Sequence, residues 1–202
     1  MAAEKVVLWR HGRTASNARG LWQGQLDIPL DEVGREQADD AAQVLSKLSP
    51  TRLVSSDLSR AADTMAALAR VTGLPMETDP ELREVHAGRW QGLSRAQIAE
   101  QWPDDLAAWT RGDDIRVGGG ETRSEVAERA AAAIERYSES TESGVLVISS
   151  HGGALRGAVA RMLGLTTGNW GSFGGLRNCH WGVLVHGRHG WVVDSWNVGV
   201  IP

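Results

Sequence analysis

The chain has 202 residues, which suits one well-filled hydrophobic core better than two, so we expect a single domain over residues 1–202. Hydrophobic residues make up 42% and charged residues 23% of the chain, as is typical of a soluble globular protein. The net charge of −4 disfavours nucleic-acid and membrane partners, and no apolar run approaches the ~20 residues of a transmembrane helix. Cys179 is the only cysteine, which excludes an intrachain disulfide and fits a cytoplasmic protein.

The first informative stretch is the end of a predicted strand near the N-terminus. Residues 5–8 are a β-branched apolar run that predicts a buried parallel strand, and Arg10, His11 and Gly12 follow it. Open α/β sheets bind their ligands at the carboxyl ends of such strands. A permanent cation beside an imidazole that is partly neutral near pH 7 can bind an oxyanion. A histidine at a strand end can equally donate a hydrogen bond to a backbone carbonyl.

Residues 15–30 contain glycine, asparagine, aspartate and proline and predict a loop that begins next to this strand end. Asn17 and Gln23 in the loop can donate hydrogen bonds to phosphate or hydroxyl oxygens, or can bond to their own backbone as turn residues do. Asp31 then caps a predicted helix, and residues 51–55 predict the second strand. This order is typical of a doubly wound α/β sheet.

The second strand leads into a helix whose first turn contains a cation. Apolar residues at helical spacing from residue 58 onward predict this helix, with Ser56 or Asp57 as its N-cap. Arg60 lies in the first turn, where a cation opposes the helix dipole by roughly a few tenths of a kcal/mol. A bound anion would remove the conflict, so Arg60 is a candidate ligand unless it points into solvent.

The middle of the chain contains a candidate carboxylate and a polar segment without a regular helix or strand pattern. A short strand is predicted over residues 75–78, and from the residues alone Glu84 is a surface carboxylate paired with Arg83 or Arg89. Further along, two capping-box patterns predict two helices separated by a polar, broken stretch. We expect residues 84–120 to form a lid-like wall over the strand ends that helps to choose the substrate.

The most apolar strand, residues 144–149, is followed by Ser150 and His151 and then by a predicted helix. This repeats the arrangement at His11, so we expect both imidazoles at one sheet edge, with backbone N–H groups of the helix facing a bound anion. Two such histidines could form half of a metal site, but neither has a further ligand at metal-binding spacing, and we predict no metal or other cofactor.

A hairpin over residues 178–196 is predicted to close the sheet. Three further histidines are expected to be structural or solvated: His180, His186 and His189. His86 is expected to be an ordinary loop histidine, with a place in the pocket wall as the alternative.

Together these motifs resemble the histidine phosphatase superfamily, also called the phosphoglycerate mutase-like family. The resemblance covers nearly the whole chain. It rests on Arg-His-Gly-x-Thr at 10–14, Ser-Ser-Asp-x-x-Arg at 55–60, Leu-Arg-Glu with Gly-x-Trp-x-Gly at 82–92, and His-Gly at 151–152. It implies an α/β three-layer sandwich with a mostly parallel central sheet and helices on both faces.

The resemblance also implies a role for each candidate residue. His11 would be the nucleophile and Glu84 the carboxyl that transfers the proton. The implied phosphate ligands are Arg10, Asn17, Arg60 and His151. Gln23 is a candidate substrate contact.

The implied activity is a metal-independent phosphatase that works through a phosphohistidine on a small phosphorylated metabolite. The alternatives are a phosphoglycerate mutase, a broad-specificity acid phosphatase and a non-catalytic binder of phosphorylated ligands. Cofactor-dependent mutases of the family have a longer insertion and a C-terminal tail, so the chain favours hydrolysis, and a binder would need no nucleophile. The oligomeric state is left open, with a homodimer among the alternatives.

Overall fold

The structure is a computed structural model that describes residues 2–172 and 174–200, so the very ends of the predicted 1–202 domain lie outside the described residues. Within these ranges six strands form one sheet: β1 (Lys5–Arg10), β2 (Pro50–Ser55), β3 (Met76–Thr78), β4 (Val145–Ser150), β5 (Trp181–Gly187) and β6 (Gly190–Val198). The strand order is β3-β2-β4-β1-β5-β6. Strands β1 to β4 are parallel, and the β5-β6 hairpin adds two antiparallel strands beside β1.

Helices cover both faces of the sheet. The α-helices are α1 (Ala15–Ala18), α2 (Glu32–Leu45), α3 (Ser59–Thr72), α4 (Arg95–Gln101), α5 (Pro103–Arg111), α6 (Arg123–Glu139) and α7 (Gly152–Met162). Short 3₁₀ turns span Ser46–Leu48, Pro80–Leu82, Gly88–Trp90, Val117–Gly119 and Thr167–Ser172. No helix in the described part of the chain is long and apolar enough to cross a membrane.

The alternation of side chains along β1 explains the three layers. Val6 and Leu8 point to one face, where they pack in a core with α6 and α7. Val7 and Trp9 point to the other, where they pack with α2 and α3. Because the strand is buried on both faces, its sequence is continuously apolar rather than alternating. The predicted three-layer α/β architecture is confirmed.

The predicted caps are correct at three helices and wrong at one. Asp31 accepts from the Gly34 N–H at 2.8 Å, and the capping boxes form at the starts of α4 and α6. In contrast, α3 begins after Leu58 without a side-chain cap. The expected cap residues are engaged elsewhere, since Ser56 contacts His151 and Asp57 pairs with an arginine.

Two predicted loops contain helices. The loop expected over residues 15–30 begins with α1, and the stretch expected to be broken before residue 120 contains α5. Helix α6 continues to Glu139, and its last turn buries Ser138 completely. These elements are short or weakly periodic, so their packing rather than their pattern decides the structure.

Candidate active site

The carboxyl ends of the parallel strands bring the predicted histidines together. Arg10 on β1 is in register with Ser150 on β4, so His11 and His151 leave adjacent strands at the same height. Their ring centroids are 5.2 Å apart. The expectation that two distant segments meet at one sheet edge is therefore met in the structure.

The geometry around His11 fixes which of its nitrogens can react. Nδ1 lies 2.7 Å from the carbonyl oxygen of Gly12, which can only accept, so Nδ1 bears the proton and Nε2 has the free lone pair. The ring is buried, with 3% of its surface exposed. Burial, followed by the charges of Arg10 and Arg60, places the pKa of His11 well below its ordinary value. His11 is thus a neutral imidazole at neutral pH.

Backbone carbonyls anchor the two predicted arginine ligands. Arg10 donates to the carbonyl of Leu176 at 2.7 Å, and Arg60 donates at 2.7 Å to the carbonyls of Gly24 and Leu26. The Nε of each guanidinium is buried and has no hydrogen-bond partner among the described residues. Burial lowers the pKa of Arg60 to about 10, so the group remains a cation. Arg60 is 0% exposed, which excludes the solvent-facing alternative.

His151 is fully buried and lies against the ring of His11. Its Nε2 lies 2.9 Å from the hydroxyl of Ser56, while its Nδ1 is buried without a partner among the described residues. If the Ser56 hydroxyl donates to Nε2, Nδ1 bears a proton that it can donate to an anion. Burial and the nearby Arg60 charge keep the pKa of His151 well below its ordinary value.

Glu84 lies at the start of α7 rather than on the surface. Its two carboxylate oxygens accept at 2.9 Å from the backbone N–H groups of Gly153 and Ala154. The pairing expected from the residues alone is wrong, because Arg83 binds Asp57 and Arg89 binds Asp105. A carboxylate is favoured at this position by the positive end of the helix dipole. The site role of Glu84 was indicated by the family resemblance and not by the local sequence pattern.

Asn17 and Gln23 both bond to Thr14, in different ways. The Asn17 side-chain carbonyl accepts from the Thr14 backbone N–H, as a turn residue does, whereas the Gln23 side-chain carbonyl accepts from the Thr14 hydroxyl nine residues away. Both residues also line the cavity at the strand ends. Asn178 additionally donates to Oδ1 of Asn17 at 3.1 Å, so the Asn17 carbonyl is fully engaged and its NH₂ remains free to donate.

A cavity of about 420 Å³ joins these groups. All of the predicted site residues except His151 line it, and His151 is in ring contact with His11. Sequence reasoning missed five large side chains of its wall: Trp22, Trp109, Arg123, Arg156 and Trp170. Arg156 follows Gly152 by four residues, so helical spacing would have placed it on the same face of α7.

Residues 84–120 form one wall of the cavity and contain a small core of their own. This core consists of Ala87, Trp90, Ile98, Leu106 and Val117, all buried. Glu84, Val85, Trp109 and Val117 reach the cavity from this segment. Four histidines do not line the cavity: His86, His180, His186 and His189.

One cavity thus combines a neutral imidazole whose Nε2 lone pair is free, two buried guanidiniums and a carboxyl, a set of groups suited to phosphoryl transfer to histidine. In the described part of the chain, no cluster of three or more His, Cys, Asp or Glu side chains could hold a metal ion. Residues 6–199 match the histidine phosphatase superfamily (branch 1), and the chain belongs to this superfamily.

Individual relatives are similar over most of their length. The chain is 39% identical over 217 residues to the glucosyl-3-phosphoglycerate phosphatase of Mycolicibacterium vanbaalenii, covering 98% of this chain and 96% of that protein. It is 34% identical to the metal-independent phosphoserine phosphatase of Arabidopsis thaliana, covering 96% and 81%.

A solved structure is similar to the same extent. Mycobacterial glucosyl-3-phosphoglycerate phosphatase in complex with VO₃ superimposes with a TM-score of 0.91 at 39% identity, covering 97% of this chain and 100% of that one. The predicted family and fold are confirmed, and the named relatives agree with the prediction of a phosphoric monoester hydrolase.

Proposed function

We propose that the chain hydrolyses a small phosphate monoester through a phosphohistidine at His11. The observation that supports this most is the neutral His11 imidazole, whose Nδ1 is held by the Gly12 carbonyl while its Nε2 is free beside Arg10 and Arg60. Phosphoryl transfer depends mainly on alignment and on stabilisation of charge, and this arrangement supplies both.

In the first step, Arg10, Arg60, His151 and the Asn17 amide bind the phosphoryl oxygens. Nε2 of His11 attacks phosphorus in line, forming the P–N bond as the P–O bond to the alcohol breaks. Glu84, protonated at this stage, gives its proton to the departing alkoxide. The alcohol then leaves as a neutral molecule, so no alkoxide has to be stabilised in the cavity.

In the second step, water takes the place of the alcohol. The Glu84 carboxylate accepts a proton from this water as its oxygen attacks phosphorus, and the P–N bond breaks. Inorganic phosphate leaves, His11 regains its lone pair at Nε2, and Glu84 is protonated again. One carboxyl therefore acts first as an acid and then as a base.

For the substrate we propose glucosyl-3-phosphoglycerate. Four segments of the sequence look most like the phosphatase of that compound: 23–27, 55–58, 88–93 and 194–197. The cavity has the size of small-molecule sites, and Trp22, Trp109 and Trp170 give it an apolar wall suited to the carbon face of a sugar. We further propose that residues 84–120 act as a substrate-selecting lid, and that the protein is cytoplasmic, as the free and buried thiol of Cys179 favours.

The test combines labelled substrate with His11→Ala. Wild-type enzyme mixed with ³²P-labelled ester and quenched in alkaline denaturant should contain protein-bound label and should release phosphate without a bisphosphoglycerate primer. His11→Ala should show neither. Label on the protein with transfer to a second substrate position, and little free phosphate, would indicate a mutase. Absence of both label and phosphate release in the wild type would indicate a binder.

A further inference from the structure

The cavity holds more positive charge than one phosphoryl group requires. Four arginines line it: Arg10, Arg60, Arg123 and Arg156. Arg10 and Arg60 belong to the proposed phosphate cradle beside His11, which leaves Arg123 from the start of α6 and Arg156 from α7 without an assigned role.

None of the four cavity arginines forms an ion pair with a carboxylate within the described residues. Ten of the fifteen arginines outside the cavity are paired with a carboxylate, for example Arg129 with Glu121 and Arg161 with Glu128. Unpaired cations that converge on a single cavity are typical of a site for an anionic ligand.

Arg123 is held in place without being neutralised. Its guanidinium lies 4.5 Å from the ring centroid of Trp109 and donates to the backbone carbonyl of the same residue. Its Nε is buried and has no partner among the described residues. The carboxylates that act on it most, Asp114 and Asp113, are engaged by the Ser124 N–H and by Arg111 respectively.

Arg156 is half-buried, and within residues 2–172 and 174–200 it has no hydrogen bond and no ion pair. It is close enough to Arg123 for its charge to lower the pKa of that guanidinium, after the larger effect of burial. Two like charges in one partly buried place repel, and an anion between them removes the repulsion.

We propose that Arg123 and Arg156 bind a carboxylate on the alcohol half of the substrate and so select acidic phosphate monoesters over neutral ones. The proposal rests on the phosphatase function proposed above. A carboxylate matches two guanidiniums well, because its two oxygens accept paired N–H donors in one plane. Arg123 and Arg156 are specificity-determining residues, and they leave the phosphoryl chemistry to the groups around His11.

The experiment compares 3-phosphoglycerate with glycerol 3-phosphate, which has a hydroxymethyl group where the first compound has its carboxylate. We expect the wild type to prefer the acidic ester. In Arg123→Gln and in Arg156→Gln, the ratio of the two kcat/KM values should fall about 10- to 100-fold, as for loss of a hydrogen bond to a charged group. Arg156→Lys keeps the charge and should retain part of the preference.

Arg161→Gln is the matched control, because Arg161 lies on the same helix, α7, but is exposed and paired with Glu128 outside the cavity. It should keep the wild-type ratio. Equal loss with both esters in the Arg123 and Arg156 variants, or no preference in the wild type, would overturn the proposal.

A binding measurement distinguishes failure of the carboxylate site from failure of the proposed phosphatase function. His11→Ala should bind 3-phosphoglycerate about 10- to 100-fold more tightly than glycerol 3-phosphate in a calorimeter, and addition of Arg156→Gln should remove most of that difference. This outcome in a protein without any phosphatase activity would support the carboxylate site and refute only the hydrolysis. An active enzyme whose His11→Ala variant binds both esters equally would refute only the carboxylate site.

Discussion

Asn178 donates a hydrogen bond from its side-chain amide to Oδ1 of Asn17, at 3.1 Å. The same amide nitrogen lies 3.1 Å from the carbonyl oxygen of His11 and 3.2 Å from that of Gly12. It therefore fixes the Asn17 amide and also the carbonyl that holds Nδ1 of His11. Asn178 does not line the cavity and is a positioning residue.

Replacement of Asn178 by Ala should lower kcat with little change in KM. The His11 ring and the Asn17 amide would lose a shared support, and a misplaced nucleophile costs more in the transition state than in substrate binding. We expect kcat to fall roughly 10- to 100-fold, equivalent to about 1.4–2.7 kcal/mol. Single-turnover labelling of the enzyme should show that formation of the phosphohistidine is the slowed step. A purely structural role would instead lower Tm and leave the kcat of the folded fraction unchanged.

Replacement of Glu84 by Gln should slow turnover by roughly 100- to 10,000-fold, the usual contribution of a general acid–base group. Glutamine keeps an oxygen that can accept from the backbone at the start of α7, so the fold should persist. The size of the defect should depend on the leaving group. With p-nitrophenyl phosphate, whose leaving group needs little protonation, the first step should recover and the phosphoenzyme should accumulate. An equal loss with alkyl and aryl esters would contradict the role as acid.

Gly153 leaves room for the Glu84 carboxylate, and its replacement by Ala should displace that carboxylate. A Cβ at this position would lie 2.5 Å from Oε1 of Glu84. Gly153 lies in the first turn of α7, and alanine has the higher helix propensity, so the helix should still form. We expect kcat to drop roughly 10-fold, through the misplaced acid–base group, while the protein remains folded.

The matched control for this substitution is Gly168→Ala, because a Cβ there meets nothing within 4 Å. It should have wild-type kcat. Full activity in Gly153→Ala would contradict the assigned position of Glu84.

The stability of the protein should fall as the pH drops below about 6.5, the ordinary pKa of histidine. His11 and His151 have strongly lowered pKa values, mainly through burial, so they stay neutral while the same residues in the unfolded chain take up protons. Above this pH both states are neutral and the two histidines do not affect stability. Below it, each lowers the free energy of unfolding by up to about 1.4 kcal/mol per pH unit.

Urea unfolding at about pH 7.5 and about pH 5.5, in buffers without phosphate or sulfate, measures this loss. His151→Gln and His11→Gln should each show a smaller loss than the wild type. The exposed His189 provides the control, and His189→Gln should show the full loss. A loss of wild-type size in both buried variants would exclude these two histidines as its source.

Residues that end a strand were predictable from sequence, since an apolar run followed by His and Gly places the side chain at a sheet edge. His11 and His151 were found this way, and the register of β1 with β4 joins them. Arg60 was found because its charge conflicts with the start of α3. Each of these signals is local, and local patterns are what a single sequence records.

Residues that reach the cavity from other elements were not predictable in this way. Arg123 begins a helix whose capping box already explains the local sequence, so nothing there marks it as a site residue. Asn178 looked like the first residue of a strand. The Ser56 cap was wrong because its hydroxyl faces His151, a partner 95 residues away in sequence. These roles depend on tertiary contacts that no short-range pattern contains.

Backbone carbonyls, not side chains, hold the guanidiniums of Arg10 and Arg60 in place. Side-chain substitutions at Leu26 or Leu176 leave the peptide oxygens that accept from these guanidiniums. The two guanidiniums proposed to bind the phosphoryl group are therefore positioned by main-chain oxygens, whereas tryptophan and arginine side chains form other parts of the cavity wall. Exchange of these wall residues one at a time should change the alcohol that the site accepts, while the cationic phosphate site keeps its position.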